Sequence, residues 1–318
     1  MRDYRCRHRP ATTKQFRFSY QMPWQLIKLP LIVLVVLCSL YWIGSFIKDK
    51  TTPLLKPQVY VANPEVVLPK SSIEVVQSVN NLVKNKKGTY GWYVHSLLTG
   101  ETYGAQMDFS FTAASVNKIP IVVSFLKNVE SQRFSLSDTY QVSEIDKQGG
   151  TGELQYKEVG TPYSYEKLVT LVGKESDNTA TRVLANLVGK NLIQEFINSQ
   201  GMVHTNIANN TTTPKEMGEL LSSIYLNLQF KDKKLQNLFF TSFSDTDFED
   251  RISKGVPKGT RVVHKIGNQI QVWNDCGLVL GQKPYTLCIL TDGVWLDEAR
   301  EVVPQISRLV WQYESQRT

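Results

Sequence analysis

Beyond residue 70 the apolar positions switch between two periods, and their order predicts strands at both ends of a body with helices between them. In "SSIEVVQSVNNLVKN" the residues Ile73, Val76, Val79, Leu82 and Val83 recur at helical spacing, the mark of an amphipathic helix. "TYGWYVHSL" and "TGETYGA" follow as two strands around a turn at Thr99-Gly100. Helical patterns then fill 119–130, 165–172, 179–187, 192–199 and 214–227. Strand-like runs return as "RVVHKI", "DCGLVLG" and "YTLCILTDG", and a last helical pattern spans 297–313. Short turns between neighbouring strands imply an antiparallel sheet, one face of which the terminal helices must cover. The expected fold is α+β, an α/β sandwich: an antiparallel sheet flanked by N- and C-terminal helices, with an inserted all-α lobe, over 71–318.

A different pattern precedes this body. "LPLIVLVVLCSLYWIGSFI", residues 29–47, carries no charge over nineteen positions. As a helix it would span roughly 28 Å, close to the ~30 Å hydrocarbon core of a bilayer. Pro30 falls in the first turn, where its missing N–H costs little, and Tyr41 and Trp42 lie toward the far end as interfacial aromatics do. A cleaved signal peptide fits poorly: the segment before the apolar run is long, and no small-residue cleavage site follows. Leu37 is also too bulky for the position before a lipoprotein cysteine at Cys38. The expectation is a single N-terminal transmembrane helix at 29–47, a basic cytoplasmic tail at 1–28 and an extended stalk at 48–70 punctuated by Pro53, Pro57, Pro64 and Pro69. The body would then stand outside the cytoplasm, at the cell membrane, by the positive-inside rule.

Charge sharpens this division. The formal net charge is +7, yet from Thr51 onward Lys+Arg and Asp+Glu balance at 27 each. The excess belongs to Arg2, Arg5, Arg7, Arg9, Lys14, Arg17 and Lys28, so no basic footprint for nucleic acid is expected on the body. Four histidines without metal-ligand spacing argue against a metal site, and no cofactor motif is present. Cys276 and Cys288 flank an expected turn at 281–284; their register is open, and they are expected to pack as small hydrophobes.

The candidate chemistry lies in "FTAASVNKIPIVVSFLK". Ser115 and Lys118 stand one helical turn apart, ahead of an apolar run bound for a core. Burial would lower the pKa of that lysine and make its neutral amine a base for the serine, whose oxyanion a helix N-terminus favours. Ser-x-x-Lys alone arises by chance in a chain of this length, but here it has company. Ser176-Asp177-Asn178 follows in "ESDNTATRVL", and His264-Lys265-Ile266-Gly267 precedes "WNDCGLVL". In this order, and with "GTGELQY" and "TTTPKEMGELL", the chain from residue 71 resembles the class A β-lactamase and penicillin-binding protein superfamily.

The resemblance implies roles. Ser115 is the acylated nucleophile, Lys118 its proton acceptor, and Ser176 the shuttle to the leaving nitrogen. Asn178 binds the substrate's amide side chain. Lys265 and Gly267 lie on the substrate-binding strand, where Lys265 adds positive potential. The backbone N–H groups of Ser115 and Asn268 form the oxyanion hole. Two departures qualify it. Ile266 stands where the family has a hydroxyl that binds the substrate carboxylate, with Arg300 a weak substitute. No glutamate occurs in the short connection "GMVHTNIANNTTTP", and Glu195 upstream falls on a solvated face. The implied activity is acyl-enzyme formation with β-lactams or D-alanyl peptides of peptidoglycan, with slow deacylation. The alternative is a non-hydrolytic β-lactam sensor or cell-wall scaffold.

Overall fold

The structure, a computed structural model, describes residues 68–317. The expected tail and anchor, and the stalk up to residue 67, lie outside the described residues, among which no helix is long and apolar enough to cross a membrane.

The Ser71 side chain accepts from Glu74 N and caps α1 (Ser72–Val83). β1 (Thr89–Ser96) and β2 (Thr102–Ala105) pair antiparallel, and Gly100 supplies the φ of +77° that their turn needs. β3 (Phe111–Thr112) leads through a 3₁₀ turn (Ala114–Asn117) into α2 (Lys118–Glu130). A two-stranded ribbon of β4 (Thr139–Gln141) and β5 (Pro162–Ser164) precedes α3 (Tyr165–Lys174), α4 (Asn178–Val188) and α5 (Lys190–Ser199). β6 (Thr211–Thr212) pairs with β3, and α6 (Pro214–Tyr225), α7 (Lys233–Ser242) and α8 (Ile252–Gly255) bring the chain back to the sheet. β7 (Arg261–Gln269), β8 (Val272–Leu280), β9 (Tyr285–Asp292) and α9 (Leu296–Glu314) complete it.

The five-stranded sheet has the order β2-β1-β9-β8-β7, antiparallel throughout. The strands from the two ends of the body therefore meet at its centre, where Trp92 stands opposite Ile289. Alternation along β9 divides the core. Leu287 and Ile289 join Val79, Trp92, Val302 and Ile306 beneath α1 and α9, while Cys288 and Leu290 face the cluster that holds Val122 and Phe125 of α2. Both sheet faces are covered, which is why β8 and β9 read as nearly continuous apolar runs. Burying one side chain such as Ile289 stabilises the fold by about 1.5–3 kcal/mol.

Two expectations need correction. Cys276 and Cys288 are not separate hydrophobes: the β8–β9 register sets them directly opposite, both fully buried on one face, and a disulfide joins them. Ser115 and Lys118 do not share an α-helix either. Ser115 lies in the 3₁₀ turn, and Lys118 is the first residue of α2. Three residues per turn still bring positions i and i+3 to the same side.

Candidate active site

Three strands hold the loop that carries Ser115. Asn274 on β8, fully buried, donates from Nδ2 to the carbonyls of Thr112 (2.8 Å) and Ala113 (3.2 Å), and its Oδ1 accepts from Thr291 N on β9. Gly267 on β7 lies directly beneath the loop: a Cβ there would stand 2.6 Å from the Ala113 carbonyl oxygen and 3.1 Å from Val116 Cγ2. Glycine is what allows the loop to rest against the strand. Ala114 takes φ 49°, a left-handed conformation in the residue just before half-buried Ser115.

Lys118 is 6% exposed, and its Nζ reaches the Ser176 carbonyl (2.5 Å), Ser176 Oγ (3.1 Å) and Asn178 Oδ1 (2.5 Å). Burial disfavours the ammonium, the negative charge of Asp177 partly restores it, and the outcome is a pKa pushed down to about 7. The same three contacts serve both protonation states. The ammonium donates to all three oxygens; the neutral amine donates to two and accepts from the Ser176 hydroxyl.

The loop around Gly149–Leu154 fixes Ser176 and its neighbours. Ser176 takes φ 55°, and its carbonyl accepts from Thr151 Oγ1 at 2.6 Å. Asp177 caps α4 through Ala180 N (2.7 Å) and holds Leu154 N with its other oxygen (2.9 Å). Asn178 donates from Nδ2 to the Gly149 carbonyl at 2.8 Å. Ser176-Asp177-Asn178 is thus a helix cap and a site wall at once.

Lys265 points from β7 into the same region, with Nζ 5.7 Å from the centroid of the Phe248 ring. Burial, then repulsion from Lys118, drives its pKa well below the usual lysine range, against the pull of Asp275. His264 next to it goes the other way. Burial opposes its charge, but Asp275 Oδ1 at 2.8 Å and Glu249 Oε1 at 3.2 Å raise its pKa to about 9.

Ile266 is buried opposite Asp275, and Asn268 follows it on the same strand face. On that face Asn268 Oδ1 accepts from Arg251 Nη2 at 2.7 Å, and Arg251 Nη1 donates to the Asn274 carbonyl at 2.8 Å. Arg251 is 1% exposed. It is a buried arginine held between β7 and β8, and no spacing in the sequence marks it. Arg300 is exposed and pairs through Nε with Asp250 Oδ2 at 3.2 Å, the carboxylate whose other oxygen lies 3.7 Å from Arg251 Nε.

The connection from α5 to β6 brings no carboxylate to Ser115. Asn210 instead ties the connection to the Ser115 loop, its carbonyl accepting from Ala113 N and its Oδ1 from Asn117 Nδ2 at 3.0 Å. Glu216, the first acid beyond it, is held by His204 N (2.9 Å) and Thr205 Oγ1 (2.6 Å). Glu195 is exposed on α5. Between Asn178 and Asn210 opens a cavity of about 620 Å³ with no Asp or Glu among its described lining residues.

A family model described as the β-lactamase enzyme family matches residues 74–314. The chain belongs to that family. Among curated members it is 25% identical over 264 residues to β-lactamase VEB-1 of Pseudomonas aeruginosa, which covers 74% of this chain and 88% of that one. Among solved structures, PBP-A superposes with a TM-score of 0.73 at 24% identity, covering 76% of this chain and 96% of its own. A β-lactamase from Sphaerobacter thermophilus DSM 20745 gives 0.72 at 25% identity, covering 77% and 98%. The antiparallel sheet with its helices is the fold of this family, and serine hydrolase chemistry is its general activity.

Proposed function

We propose that this member is an acyl-transferring serine enzyme in which Ser115 attacks a β-lactam or a D-alanyl peptide bond. The observation that carries the reading is the buried Lys118 amine, with a pKa near 7, shared between Ser176 and Asn178 one turn after Ser115. Neutral Lys118 takes the Ser115 proton as Oγ bonds to the carbonyl carbon. The N–H groups of Ser115 and Asn268 receive the oxyanion. As the C–N bond breaks, the Lys118 proton passes through the Ser176 hydroxyl to the leaving nitrogen. Asn178 holds the acyl-side amide.

Arg251 and Lys265 take over the attraction of the substrate carboxylate that the side chain of Ile266 does not provide. Arg251→Gln should therefore lower the ratio of acylation rates for a penicillin and its methyl ester by about 10- to 100-fold. Equal slowing of acid and ester would mark a purely structural arginine.

Slow deacylation is expected because neither the connection over 200–210 nor the described lining of the cavity beside Asn178 supplies an Asp or Glu, and this would separate the enzyme from an efficient β-lactamase. A PBP-A variant has been solved as its acyl-enzyme complex with penicillin G, which supports lactam acylation here. The apolar segment 29–47 supports an outward-facing, membrane-anchored enzyme directed at the cell wall. Intact mass after a penicillin pulse tests the reading: an adduct that outlasts many minutes is expected. Release within seconds would return the chain to the lactamases, and no adduct would leave the scaffold reading.

A further inference from the structure

The cavity beside Asn178 has a use that acyl transfer alone does not require. Its wall is one face of α4: Asn178, Thr181, Arg182 and Ala185, at i, i+3, i+4 and i+7, all line it. It therefore runs about 10 Å along the helix away from Asn178, with Arg182 about 6 Å along. Lys190, the first residue of α5, lines it as well, where the helix dipole adds to the positive potential. Both cations are exposed, and neither forms an ion pair among the described residues. Arg182 donates from Nη1 to Gln148 Oε1 at 3.1 Å, which orients the guanidinium without neutralising it. Asp146 feels the charge of Arg182, but its carboxylate is engaged by Ser143 and Tyr140.

We propose that this cavity is an acyl-side subsite that selects acyl donors bearing a carboxylate some 6–10 Å beyond the amide held by Asn178. The inference rests on the acyl-transfer reading for its orientation. An amide at Asn178 directs the rest of the acyl chain either to solvent or along α4. Along α4 a carboxylate meets two cations, and no Asp or Glu is among the described residues that line the cavity. Because these groups are exposed, the selectivity is moderate and screened by salt.

A penicillin carrying an adipoyl side chain, with four methylenes between amide and carboxylate, spans the interval to Arg182. Its terminal primary amide is a neutral control of the same shape. The wild-type enzyme should be acylated by the acid about tenfold faster than by the amide at low salt. In the Arg182→Gln/Lys190→Gln variant, and in high salt, that ratio should approach one. A wild-type ratio near one, or a ratio kept by the double variant, overturns the subsite. The Ser115→Ala protein separates this from the chemistry: its equilibrium binding of acid and amide, followed by NMR titration, should show the same preference and the same loss. Absence of acylation by both compounds would count against the acyl-transfer reading, and the binding titration would still decide the subsite. Equal binding of acid and amide by Ser115→Ala would refute it.

Discussion

Replacing Lys118 by methionine is expected to slow acylation by a penicillin by about a thousandfold, within the range for removing a general base. Methionine keeps most of the length and the apolar stem of the side chain but has no proton to exchange. The pH profile is the more telling readout. With a pKa pushed down to about 7, Lys118 is protonated on the acid side and free to accept a proton on the alkaline side. The acylation rate of the wild-type protein should therefore climb as pH rises through about 7 and then level off. The variant should lose that rise. A variant that keeps the same ascending limb would assign the titration, and the base, to another group. Stopped-flow acylation with a chromogenic lactam reads both quantities.

Gly267→Val is expected to have the second large effect, through geometry alone. Even a Cβ at this position would stand 2.6 Å from the Ala113 carbonyl oxygen, which is backbone and is itself held by Asn274. Either the 113–116 loop lifts from β7 or the strand moves, and each displaces the Ser115 and Asn268 N–H groups relative to one another. A shift of about 1 Å there should lower acylation by about a hundredfold. Overpacking should also destabilise the fold by about 1–3 kcal/mol. Thermal denaturation and acylation measured on the same preparation separate the two effects. Gly267→Val with unimpaired acylation would mean that the loop and the strand do not set the site together.

Local pattern carried the elements and much of the site. The first helix and the strand pattern of "YTLCILTDG" depend on neighbours within a few positions, and both elements formed; on the helix, however, Val75 and Val79 are the buried residues, while Ile73 of the expected stripe is 68% exposed. Ser115, Lys118, Ser176, Asn178 and Lys265 stood out through the motif order that resembles the family's, and the structure brings Lys118, Ser176 and Asn178 into contact. Contacts between distant segments were not. The pairing of Cys276 with Cys288 depends on a register that one residue of slip would undo. Asn274 bridges to Thr112 across 162 positions, and nothing in "WNDCGLVL" announces it. Arg251 is a lone arginine in "EDRIS"; only the turn of α8 against β7 and β8 carries it to Asn268. Helix α7 was also unforeseen, since Leu235, Phe239 and Phe240 make too short a stripe in a polar segment to stand out.

The proposed mechanism forms a covalent bond at one oxygen. Incubating the protein with a penicillin, digesting it and sequencing the labelled peptide by tandem mass spectrometry locates that bond. The added mass should fall on Ser115 and be absent from the Ser115→Ala protein. A label on any other residue, or one that survives in Ser115→Ala, would contradict the mechanism.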